Sequence, residues 1–232
     1  MLKDLPASEN ILIIFIKYPE PGFVKTRLAK DIGSKKALDF YRVFVEIIVE
    51  NTKANAYQQI IFYSPGEKEK QITQWLGDGN VYCSQKGSNL GEKLSRAFSD
   101  LFSQGAKRVI VIGSDSPLID AKLINESFAK LNDEDCVIGP CRDGGYYLLG
   151  LSKPCDEIFE DIAWSSDKVF EQTLSKIQQS NLSFSKLETH FDVDREADLI
   201  ELRDKILKIS SPDQGYLLKL LPLFKQIPGS TD

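Results

Sequence analysis

The sequence predicts an α/β fold, three layers deep (α/β/α), around a mixed but mainly parallel central sheet. Three observations predict it. Short apolar strand-like runs alternate with segments of helical period almost throughout, the pattern of a sheet with helices on both faces. The runs NILIIFI at 10–16 and VIVI at 109–112 are unbroken and β-branched, as strands buried on both faces are. Around 136–149 two strand-like runs follow each other without a helix between them, which points to an added antiparallel strand.

The elements follow in order. Residues 10–16 form the first buried strand. The segment KYPEPGFVKTRL at 17–28 starts irregularly, because Pro19 and Pro21 break regular structure and Gly22 frees the backbone. Residues 34–53 carry apolar residues at helical spacing, with Ser34 as the expected N-cap. A strand at 59–63 ends in Ser64-Pro65-Gly66; an amphipathic helix at 67–76, a turn at 77–80 and a short strand at 81–83 come next. The loop QKGSNLGE at 85–92 feeds a helix over 90–104 with Leu94, Ala97, Phe98, Leu101 and Phe102 on one face. After the central strand, Gly113 allows a tight turn and Pro117 is placed to open the next helix, expected over 121–131. Strands at 136–139 and 146–149 flank PCRDGG. Ser165 or Ser166 is the expected cap of a helix running to about 179, and 182–187 alternates as a strand. HFDVDREAD at 190–198 leads into a helix to about 208. The apolar stretch YLLKLLPLF, interrupted by Pro222, packs on the domain or on a partner, so a homodimer is admitted.

The chain of 232 residues is expected to be one domain over 1–232, with 209–232 as a C-terminal helical tail. A net charge of −5 argues against a general nucleic-acid binder and leaves room for a local basic pocket. Cys83, Cys136, Cys141 and Cys155 form no CxxC pair, and the single histidine, His190, cannot complete a usual zinc set. They read as reduced thiols of a cytoplasmic protein. The apolar run at 11–16 is too short for a membrane span or a signal-peptide core.

Five constellations carry chemistry. The loop after the first strand brings Lys17, Lys25 and Arg27 ahead of a helix; backbone N–H groups and fixed cations together make a phosphate site, or else a solvated basic loop. Neither GxxxxGK[ST] nor GxGxxG is present. Asp115, in RVIVIGSDSP, is delivered to the carboxyl edge of a central strand, where open sheets bind ligands. It either caps the next helix or holds a divalent metal against a phosphate. In Asp192-Val193-Asp194, extended backbone turns both carboxylates to one face; they bind a hard cation such as Mg²⁺ or Mn²⁺, or Asp194 merely caps the following helix. Asp143-Gly144-Gly145-Tyr146 allows close backbone approach to a ligand or makes a simple turn. Trp164, before Ser165, stacks on a base or sugar or belongs to the core.

PEPGFVKTRL, NLGEKL, GSDSPL, GPCRDGGYYLLGL, WSS and DVDREADL, in this order over about 10–208, resemble an uncharacterised bacterial transferase family. Its members are named as nucleotide-diphospho-sugar transferases or as arsenosugar-biosynthesis-associated glycosyltransferases. The resemblance implies the GT-A-like fold shared with molybdopterin and phospholactate guanylyltransferases. It also implies that Gly22, Lys25 and Arg27 bind phosphate, with Lys17, Thr26, Asn89 and Ser114 around the nucleotide. Asp115 takes the metal, completed by Asp192 or Asp194. Asp143 serves the acceptor side with Gly144, Gly145, Tyr146, Trp164 and Ser165. Asn89 stands where the family commonly has Asp, and Ser166 where it often has Thr.

The expected activity is therefore a metal-dependent transferase with a nucleotide-diphospho-sugar donor and a small-molecule acceptor. Asp143 would be its general base, and Lys25 and Arg27 would stabilise the leaving diphosphate. A nucleotidyltransferase passing a nucleoside monophosphate from a triphosphate to a phosphorylated acceptor uses the same parts. A non-catalytic nucleotide-binding regulator rests on Asn89 alone.

Overall fold

The computed structural model describes residues 8–208 and 212–227. Seven strands, β1 (Asn10–Lys17), β2 (Gln58–Ser64), β3 (Val81–Ser84), β4 (Arg108–Ile112), β5 (Cys136–Pro140), β6 (Tyr146–Leu151) and β7 (Phe184–Lys186), form one sheet in the order β3-β2-β1-β4-β6-β5-β7. The first four run parallel, and β6 is antiparallel to both β4 and β5. This is the mixed, mainly parallel sheet expected. After β1 the chain builds outward through β2 and β3, then returns to place β4 on the other side of β1. The order thus switches between β1 and β4, which opens a crevice at their carboxyl ends.

The alternation of β1 explains the layers. Ile11 and Ile13 enter one core, with Leu94, Phe98 and Leu101 of a helix at Leu90–Ser103. Leu12, Ile14 and Ile16 enter the opposite core, with Tyr41, Val45 and Ile48 of a helix at Ser34–Asn51. Both faces of the strand are dry, so its sequence shows no polar alternation. The helices are α1 (Thr26–Ile32), α2 (Ser34–Asn51), α3 (Glu69–Leu76), α4 (Leu90–Ser103), α5 (Ala121–Lys130), α6 (Val169–Gln179), α7 (Glu196–Lys208) and α8 (Leu221–Phe224). No helix among the described residues is long and apolar enough to cross a membrane.

Several local expectations are corrected. The basic loop ends earlier than 28, because α1 begins at Thr26. Ser34 is the first residue of α2 rather than its cap; Gly33, at φ 91°, stands before it. Pro117 does not open α5, since Asp120 caps that helix by accepting from Leu123 N–H at 2.9 Å. Neither Ser165 nor Ser166 caps α6, which starts at Val169 after Lys168. The strand expected over 182–187 is confined to Phe184–Lys186. Of the tail, 209–211 and 228–232 lie outside the described residues. Pro212–Leu220 is a 3₁₀ segment leading into α8, where Pro222 stands in the first turn instead of interrupting a helix. Leu217, Leu220 and Phe224 pack with Phe40 and Phe44 of α2 and Leu202 of α7, so this apolar stretch covers its own chain.

Candidate active site at the carboxyl edge of the sheet

A cleft of about 540 Å³ lies at the switch between β1 and β4, within the range of small-molecule sites. Its walls come from the loops after β1 and β4, the start of α4, and the segment before α7. Of the residues expected in the site, Lys17, Lys25, Thr26, Arg27, Asn89, Ser114, Asp115, Tyr146, Ser165, Asp192 and Asp194 line it. Gly22, Asp143, Gly144, Gly145 and Trp164 do not line it.

The two open questions about carboxylates resolve alike. Asp115 is not a cap, because Asp120 performs that task. Asp194 does not cap α7 with its carboxylate either. Its own N–H, with that of Arg195, donates to Asp198 Oδ2 at 2.9 and 2.8 Å. Both carboxylates turn instead to Lys25, whose Nζ is 2.5 Å from Asp115 Oδ1 and 3.3 Å from Asp194 Oδ1. Arg27 Nη1 reaches Asp194 Oδ2 at 3.2 Å from a more exposed position. Val193 between the two acids is buried in the core beside α2 and α7, which leaves Asp192 and Asp194 on the cleft side as period-2 backbone requires. The Val193 N–H donates to the Asp115 carbonyl at 3.0 Å and locks the two acidic segments together.

The electrostatics follow from that packing. Burial alone would lower the Lys25 pKa, but the Asp115 and Asp194 charges outweigh it and the ammonium is held above its ordinary value. Burial, with Asp115 beside it, pushes the Asp192 carboxyl up to about 6 even though it accepts from Ser116 Oγ. Cys141, Asp143 and Asp192 each offer an atom within 4.8 Å of the others. Burial, then Asp192, drives the Cys141 thiol far upward, so that group keeps its proton and the set presents hard oxygen donors. The raised Asp192 pKa reflects burial first and then the neighbouring Asp115 charge, and a divalent cation would offset both. The carboxylates of Asp115, Asp192 and Asp194 line the same cleft and are the hard oxygen donors that Mg²⁺ or Mn²⁺ takes.

The remaining expected residues have structural occupations. Asn89 caps α4, accepting from Glu92 N–H at 3.0 Å. Gly22 sits at φ 83°, the left-handed region its loop needs. Asp143 accepts from Gly145 N–H at 2.9 Å in a tight turn. Gly144 is approached by the backbone of Asp167 rather than by open space. Trp164 packs against Gly91 at the first turn of α4, where a Cβ would lie 2.6 Å from the indole Nε1. It lines a neighbouring cavity of about 430 Å³ with Arg96 and Glu160.

Three residues of the site went unnoticed in the sequence. Tyr41 Oη accepts from Lys17 N–H at 2.8 Å and donates to Lys17 C=O at 3.0 Å, on the side where the β1–β4 pairing has ended at Ile14. Gln85 Nε2 donates to the carbonyls of Ile16 at 3.0 Å and Phe62 at 2.8 Å. Lys93 adds a cation to the cleft, its pKa lowered by burial and then by Lys17 nearby. Lys17, Lys93 and Arg27 thus face the cleft, while Lys25 is committed to carboxylates.

No curated protein matches the chain in sequence. Among solved structures, one from Desulfovibrio desulfuricans G20, provisionally named a nucleotide-diphospho-sugar transferase, is 33% identical. It covers 95% of this chain and 98% of its own, with a TM-score of 0.86. A 4-diphosphocytidyl-2C-methyl-D-erythritol synthase from Anaerococcus prevotii DSM 20548 shares the fold at 13% identity, TM-score 0.57, covering 86% of this chain and 96% of its own. So does the manganese complex of Rv0371C from Mycobacterium tuberculosis H37Rv, at 11% identity and TM-score 0.51 over 87% and 100%. Residues 47–166, about half the chain, match the family described as "uncharacterized protein conserved in bacteria (DUF2064)", and the chain belongs to that family.

Proposed function

We propose that the chain is a metal-dependent transferase that takes a nucleotide-diphospho-sugar donor and passes the sugar to a small-molecule acceptor. The observation that carries this reading is one cleft with Lys17, Arg27 and Lys93 beside the acids Asp115, Asp192 and Asp194. Cations without carboxylates would suit any anion. Carboxylates beside them suit a diphosphate that arrives with a divalent metal. A metal held by Asp115, Asp192 and Asp194 would neutralise charge on the diphosphate. The chain's own groups do the rest. Arg27 forks onto phosphate oxygens, and Lys17 and Lys93 hold the charge that grows as the nucleoside diphosphate departs. Thr26 and Ser114 offer hydroxyl and backbone donors. Asp143 lies outside the cleft lining but within 4.8 Å of Asp192, and from there it takes the proton of the acceptor hydroxyl, with Tyr146 and Ser165 shaping that end.

A second reading, nucleotidyl transfer from a triphosphate, is favoured by Lys93, which joins Lys17 and Arg27 along the cleft in a set that suits three phosphates. The regulatory reading loses its support, because Asn89 is accounted for as a helix cap.

A thermal-shift series with Mn²⁺ separates the readings. A sugar nucleotide at 100 times its Kd stabilises the folded state by about 2.7 kcal/mol, roughly 5 °C or more for a chain of this size. Stabilisation that needs Mn²⁺ and disappears in Asp115→Asn is the expected result. Stabilisation by triphosphates alone, with pyrophosphate released on turnover, would transfer the assignment to nucleotidyl transfer. No metal-dependent response to either class would overturn both.

A further inference from the structure

Lys25 is an unusual place for a lysine. Its side chain is 2% exposed, yet its ammonium needs partners that a dry environment does not supply. Its backbone sits at φ 47°, ψ 43°, the left-handed region that non-glycine residues enter only at a cost. The return on that conformation is the position of Nζ, between Asp115 and Asp194. Those are two of the three carboxylates a divalent cation would use. An ammonium 2.5 Å from Asp115 Oδ1 and a metal bound to the same oxygen would be two cations side by side, and they would repel.

Resting on the metal reading above, we propose that Lys25 is a resident competitor for the metal site. In the metal-free protein its ammonium holds Asp115 and Asp194 together, and a divalent cation binds by displacing it into the cleft. The freed ammonium then has no carboxylate partner and takes a phosphate of the bound nucleotide. Metal and nucleotide therefore bind with positive coupling through one side chain. The metal alone binds weakly, because it must strip a buried cation of its partners.

The test measures Mn²⁺ binding by the electron paramagnetic resonance signal of the free ion, without nucleotide. The proteins are the wild type, Lys25→Met and Arg27→Gln. Lys25→Met keeps the length of the stem and the same left-handed backbone cost. Arg27→Gln removes an equal charge from the exposed partner of Asp194. The expected result is a Kd about tenfold or more tighter in Lys25→Met, and a change within about threefold in Arg27→Gln. Equal tightening in both variants, or none in Lys25→Met, overturns the exchange and leaves the metal reading standing. No Mn²⁺ bound by any of the three overturns both. A wild-type measurement decides the matter should Lys25→Met fail to fold: acetylation of lysines followed by mass spectrometry. Lys25 is expected to be protected without metal and labelled with Mn²⁺. Labelling unchanged by Mn²⁺ overturns the exchange.

Discussion

Gly144 sits at φ 87°, and a Cβ placed on it would lie 2.0 Å from the carbonyl oxygen of Asp167. The two glycines of DGGY signal close backbone approach, but the chain that approaches is its own. Gly144→Ala is therefore expected to cost about 2–4 kcal/mol through left-handed strain and overpacking, measured by urea unfolding. It also loosens the turn that aims Asp143. Lys25, Asp115, Asp192 and Asp194 stand out in the sequence for a shared reason: each is a charge in a loop or extended segment at the edge of the sheet, where regular packing does not explain it, and Arg27 stands beside them in the first turn of α1. Tyr41 was hidden because it occupies an apolar-stripe position of α2, indistinguishable from core until its hydroxyl is seen on Lys17. Lys93 reads as the solvated face of α4. Gln85 follows a strand of four residues and carries no pattern at all.

At the start of α4, Asn89 and Glu92 share the work of a capping box. Asn89 Oδ1 takes the Glu92 N–H, and the Glu92 carboxylate accepts from Ser88 N–H at 3.0 Å and Ser88 Oγ at 2.8 Å. Asn89→Ala is expected to cost about 1 kcal/mol in a thermal melt, whereas Asn89→Asp, an equally good cap, stays within about 0.5 kcal/mol. The Ser88 N–H, then its hydroxyl, hold the Glu92 carboxyl below its ordinary 4.5. A depressed carboxyl contributes stability above the unfolded value and loses it as pH falls through the folded one. The gap between wild type and Glu92→Gln should thus be present at neutral pH and close below 4.5. At this scale the sequence located each strand of the described residues: apolar runs mark β1, β2 and β4 to β6, while the short β3 and β7 are read from a brief run and from alternation, the latter with bounds too wide. It missed α1 and most caps. Which polar residue caps a helix depends on where the loop turns, and in three of these loops the turn comes a few residues from the first candidate.

Across the whole molecule, the end of the chain supports the beginning. Phe40 stands 5.5 Å from Phe224 and 5.9 Å from Phe44 between ring centroids, and the Phe44 ring lies 5.9 Å from Lys25 Nζ. Phe224→Ala should cost about 3–5 kcal/mol in guanidinium unfolding, as a buried aromatic does. The layered architecture was legible because alternation of strand and helix is written locally. The third core, joining α1, α2, α7 and residues 217–227, was not, because it pairs segments nearly 200 residues apart and leaves each with an ordinary apolar pattern.

The Gln85 side chain has a dynamic consequence. Its amide bridges carbonyls of β1 and β2, its own N–H reaches Tyr63 C=O at 2.8 Å, and Tyr18 N–H reaches Ser64 C=O at 2.7 Å. Three parallel strand ends are thereby tied into one unit just where an open sheet would fray. Backbone amides there are expected to exchange with solvent only when the whole edge opens, and sooner in the turn at Gly22 and Phe23, where Phe23 is 71% exposed and its N–H is held by one bond, to Glu20 C=O at 3.1 Å. A ligand entering the cleft therefore meets a floor that keeps its spacing, and adjustment is expected of the loop at residues 21–23 instead.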